Sequence, residues 1–140
     1  MNYLRIFLSA FAAFVAYFAI GGVAFTAPWM KNEFMKYPAV YRSQDAIKSV
    51  MPFGMFAMFV AMLVLAVLYA MLYRGGSGLA EGAHFGALIG VFAVCSFVIH
   101  NYVNLNIGLT LTLQQACAYF VEWLIVGIVI GLIYKPAVPH

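Results

Sequence analysis

Four long apolar runs constrain this chain more than any other feature. They cover about residues 3–27, 50–73, 79–103 and 113–134. Each reaches the ~20 residues needed to cross the hydrocarbon of a bilayer. Only 8% of the residues are charged and 66% are hydrophobic, whereas a soluble domain carries roughly 25% charged residues. Water would not tolerate that much apolar surface. The expected fold is an all-α membrane protein: a four-transmembrane-helix bundle, up-down-up-down, forming a single domain over residues 1–140.

The first run is longer than the ~7–15 residues of a signal-peptide core, so it is read as a transmembrane helix. Ser9, Ala13, Tyr17 and Gly21 form an i, i+4 ridge on it, where small residues let a neighbouring backbone approach. Pro28 ends that helix. Residues 28–48 mix Trp29, Tyr37 and charges of both signs, which suits the headgroup layer, and a short interfacial helix fits before Pro38. Ser43 or Ser49 can cap the second span, placing Pro52 near its first turn, where proline costs least. Arg74-Gly75-Gly76-Ser77-Gly78 is a tight turn, which makes the third helix an antiparallel neighbour of the second. Lys135-Pro136 closes the fourth, and Pro139-His140 forms a short tail.

Net charge is +3. The basic residues flank apolar segments, so the expected partner is the lipid bilayer and not nucleic acid. Arg5, Arg74 and Lys135 fall on the termini side; Lys31, Lys36, Arg42 and Lys48 fall on the other. This balance barely fixes orientation, and the termini are assigned to the inside of a bacterial inner membrane. A homo-oligomer or larger membrane complex is compatible with the same surface.

Polar groups concentrate in the last two spans. Glu122 lies near the midplane, about 14 Å into its helix at ~1.5 Å per residue. An ionised carboxylate is expensive there, so it should be protonated, hydrogen-bonded or beside a wet cavity. It is either a proton or cation site or a neutral carboxyl pinning two helices. Gln115 shares nearly its face, and Tyr119 and Tyr17 complete the candidate site. Glu122 is turned about 140° from Gly127, away from the third helix. That leaves the first helix or a second subunit as its neighbour, and a Tyr17–Glu122 hydrogen bond joining the first and fourth helices is expected. His100 is five whole turns from Gly82 and should share its face. With Asn101, Asn104 and Gln114 it forms a candidate polar mouth, opening toward residues 28–48 and 104–112. Gly82, Gly86 and Gly90 match Gly127 and Gly131 in depth, so the third and fourth helices should pack closely.

No metal, cofactor or catalytic set is expected. The methionines of the second span spread round the helix without Cys or His beside them. His84 and His100 point roughly 160° apart, which does not suit stacked haems. Ser96, Cys95 and His100 have no orienting acid at their depth. Cys95 and Cys117 read as free thiols.

The aromatic–glycine stretch from Tyr17 to Phe25 is followed by Trp29. The glycine-spaced third helix ends in Asn101-Tyr102, and the fourth ends in Gly127-Ile128-Val129-Ile130-Gly131. This pattern resembles a bacterial family of uncharacterised small integral membrane proteins, a four-span domain of unknown function. The resemblance implies no catalytic residue. Two functions remain open. The preferred one is a structural or accessory membrane component acting through lateral helix contacts, not an enzyme. The other is a small proton-coupled carrier of cationic or amphipathic compounds using Glu122. Small multidrug exporters share four short spans and one mid-membrane glutamate, but theirs is in the first helix.

Overall fold

The computed structural model describes residues 2–134; Lys135-Pro136 and the Pro139-His140 tail lie outside them. The fold is an all-α four-helix membrane bundle. Helix α1 spans Tyr3–Thr26, α2 Pro28–Phe34, α3 Gln44–Leu72 and α4 Gly78–Ala93. A π-helical turn, Val94–Ile99, continues α4 into α5, His100–Asn104, and α6 spans Leu109–Tyr134. Four helical stretches are long and apolar enough to cross a membrane: α1, α3, α4 through α5, and α6.

Helix starts follow side-chain chemistry. Asn2 accepts the Arg5 N–H at 3.1 Å, and the Ser43 hydroxyl accepts the Ala46 N–H at 3.3 Å. Ser43 therefore starts α3 well before residue 50. Pro52 sits in the helix interior and not in the first turn, removing the bond its N–H would have made to Lys48. Helix α6 likewise begins before residue 113. The Gly108 carbonyl accepts both the N–H and the hydroxyl of Thr112, which anchors the first turn.

The spans do not pack in chain order. Helix α4 lies along α6, α6 along α1, and α1 along α3. The turn between α3 and α4 makes them antiparallel, with Gly75 at φ 88°, a conformation suited to glycine. It does not make them close neighbours. Among the described residues they share no extended seam, although the Tyr69 and Phe85 rings meet edge-on at 5.4 Å. The reason is steric. Helices α4 and α6 carry facing glycines, while α3 carries bulky methionine, leucine and phenylalanine.

That seam is backbone against backbone. A Cβ added to Gly82 would stand 2.5 Å from the Gly127 carbonyl oxygen, and one on Gly86 would stand 2.6 Å from the Trp123 oxygen. Close approach of this kind holds helices together in lipid, where hydrophobic burial drives little association. On α1, Ser9 and Ala13 are fully buried and let α1 approach its neighbours. At the opposite end, Met30, Ile107 and Leu111 form a small cluster under α2 and its following loop. The Gly108 N–H donates to the Tyr37 hydroxyl at 2.9 Å, tying the two loops together.

Candidate functional site

Glu122 lies at the middle of α6, twelve residues before Tyr134 and thirteen after Leu109. Its side chain is 0% exposed and neither carboxyl oxygen has a hydrogen-bond partner. It points at α1, where Gly21 leaves room for it: a Cβ on Gly21 would occupy the place of the Glu122 Oε1 atom. The carboxyl thus rests on bare backbone.

The expected Tyr17–Glu122 hydrogen bond is not formed. The Tyr17 ring instead lies against Trp123, with centroids 5.3 Å apart. Tyr17 still lines the same cavity as Glu122, as do Gln115 and Tyr119. That cavity holds about 360 Å³. Helix α6 is one wall, α1 a second, and the π turn with α5 a third. It extends from Glu122 to Gln115 on α6, roughly 10 Å along the axis. It therefore occupies the half of the membrane that faces the loops at residues 35–43 and 105–108.

The lining is mainly aromatic. Tyr119 bridges two walls, its ring 5.4 Å from Phe25 and 5.7 Å from Phe97. Phe25 continues to Phe34 at 6.1 Å, and Phe34 to Tyr41 at 4.7 Å. This chain of rings runs to the headgroup end of the cavity. The Gln115 amide donates to the Tyr41 hydroxyl at 3.5 Å.

The polar mouth does not assemble as expected. Asn101 lines the cavity, but His100, Asn104 and Gln114 do not. His100 and Asn104 are exposed, and the Asn104 amide donates back to the His100 carbonyl at 2.9 Å. Gln114 is half-buried with its carbonyl oxygen unpaired. The π turn explains the difference. A wider turn holds more residues and rotates everything after it. The buried line Gly82, Gly86, Gly90 therefore continues to Val98 and not to His100. The same rotation puts Phe97 and Asn101 on the cavity. Phe97 escaped the sequence reading because nothing in Val94–Ile99 marks a change of helical winding: its one polar residue, Ser96, donates to the Phe92 carbonyl as a serine in a regular helix does. Gly90 meets the Phe120 ring, and Gly131 meets Gly78 and Gly82, so all five seam glycines lie inside the chain.

No family model, curated protein or solved structure matches this chain.

Proposed function

We propose that the protein is a small proton-coupled carrier of a bacterial inner membrane, with cytoplasmic termini, in which Glu122 exchanges a proton for a cation. The observation that supports this reading is an unpartnered mid-membrane carboxyl facing a cavity of about 360 Å³. A carboxyl that only pinned two helices would be bonded across their interface, and Gly21 offers it no side chain. Ionisable groups buried in a membrane mark binding and proton pathways when they face a cavity. The exchange is electroneutral: the proton leaves as the cation arrives, so no net charge is added at mid-membrane. No Ser, Thr, Cys, His or Lys lines the cavity, and its aromatic walls around one carboxyl suit binding and transport. The seam glycines are engaged within the chain, so they serve the fold of this bundle and are not free to receive a partner helix.

Dicyclohexylcarbodiimide tests the site, because it enters apolar regions and reacts with a protonated carboxyl. The expected result is a single adduct mapped to Glu122, forming faster as pH falls and absent in Glu122→Gln. Labelling elsewhere only, with Glu122 unmodified at every pH, would contradict the reading.

A further inference from the structure

Resting on that reading, we infer the class of cation: an organic ammonium carrying an apolar body, which reaches Glu122 sideways from the bilayer and not from an aqueous mouth.

The lining argues against an inorganic cation. Metal ions and alkali cations are held by several oxygens at once, with hard divalent ions taking six or more. Here the oxygens of Glu122, Gln115, Asn101 and the tyrosines are spread along the cavity, with Gln115 roughly 10 Å from Glu122 along α6 and engaged by Tyr41, so they do not converge on one point. The remaining surface is aromatic, from Tyr17, Phe25, Phe97 and Tyr119 among others. Ring faces attract an ammonium group, most strongly when it is desolvated. One carboxylate inside such a cage matches one positive charge on a poorly hydrated head. The groups that could titrate against Glu122 are Tyr17 on α1, Tyr119 on α6 and Tyr41 in the loop; the π turn and α5 present only Phe97 and Asn101. No Lys, Arg or His lines the cavity, so nothing there would hold the phosphate of a zwitterionic lipid headgroup.

The route follows from exposure. At the headgroup end the Phe34 and Tyr41 rings pack edge-to-face, and the Tyr41 hydroxyl accepts from Gln115. The side between α1 and the third span is bordered by Phe18, Gly22 and Phe97, and these are open: Phe18 is 37% exposed and Phe97 51%. All three lie within spans, so the surface they open onto is lipid. A Cβ on Gly22 would meet nothing within 4 Å, which leaves a gap in the α1 wall at that border. A ligand partitioned into the bilayer reaches the gap directly, with its ammonium near the interface and its tail in the hydrocarbon. Binding forms one ion pair, and one proton leaves Glu122 toward the headgroup side past Gln115 and Tyr41.

The test measures protection of Glu122 from dicyclohexylcarbodiimide in nanodiscs of phosphatidylglycerol, which has no ammonium. The probes are dodecyltrimethylammonium, tetramethylammonium, dodecyl sulfate and sodium chloride. The expected result is that dodecyltrimethylammonium slows labelling by about tenfold, while the other three change it little. Gly22→Leu should abolish protection and leave the protein folded, since its side chain enters open space. Gly54→Leu, on α3 in equally open space, should behave as wild type. Equal protection by tetramethylammonium or sodium would overturn the ligand class while leaving Glu122 a cation site. Full protection in the Gly22→Leu variant would overturn the lateral route. Protection by phosphatidylcholine nanodiscs alone would assign the site to a lipid headgroup and overturn a free amphiphile. Failure of the carbodiimide to label Glu122 without any probe would overturn the carrier reading itself.

Discussion

The contact between Glu122 and Gly21 sets the chemistry available at the centre of the molecule. A residue with a side chain at position 21 would displace the carboxyl. The displaced atom is the end of a flexible side chain, so Gly21→Ala should leave the fold intact. It should weaken cation binding by about threefold to tenfold, because the carboxylate moves within a geometry-sensitive cage. Binding isotherms of the purified variant, with its thermal stability measured in parallel, check both halves. Tyr17 makes a different prediction. Its hydroxyl does not bond Glu122, so a double-mutant cycle of Tyr17→Phe and Glu122→Gln on stability should show coupling below the ~0.6 kcal/mol average of an interhelical hydrogen bond in a membrane. The depth of Glu122 and its turn away from the third helix were legible from residue counting, which left α1 or a second subunit as its neighbour; the contact with Gly21 decides for α1. The missing bond was not, since competition from Trp123 for the Tyr17 ring depends on packing that no spacing encodes.

At the level of elements, hydropathy located the spans and misplaced their ends. Residues 44–49 and 109–112 are polar enough to read as loop, yet Ser43 and Gly108 start helices there. Hydropathy reports what lies in hydrocarbon, and a helix can begin outside it. The π turn was illegible for another reason: its residues, Val94–Ile99, carry no Pro or Gly to mark a change of winding. Removing one residue, for example Cys95, should restore regular winding and rotate Phe97 and Asn101 away from the cavity. Such a variant should fold but lose protection of Glu122 by dodecyltrimethylammonium. The glycine seam was legible from matched depths, and its replacement should be costly because both sides are backbone. Gly86→Val should destabilise the protein by about 1–3 kcal/mol, the range for overpacked interiors. Unfolding in sodium dodecyl sulfate monitored by circular dichroism measures this, and an unchanged midpoint would contradict a tight α4–α6 seam.

Across the whole molecule, the packing order departs from the chain order, and the cavity is a consequence. Helix α1 and the third span both flank α6. Gly21 on α1 faces Glu122 of α6, and Gly22 beside it borders open space. The result is a site built by three spans and roofed by α2 and its loop, while α3 lies outside it. Connectivity was readable from turn lengths, but the neighbours of each helix were not, because a short turn fixes direction and leaves the partner to side-chain fit. The most direct measurement is proton flux in proteoliposomes with an internal pH dye. A gradient of dodecyltrimethylammonium should drive counter-movement of protons at one proton per cation in the wild type, and none above the empty-liposome rate in Glu122→Gln. Equal flux in the wild type and Glu122→Gln would contradict proton–cation exchange at this carboxyl.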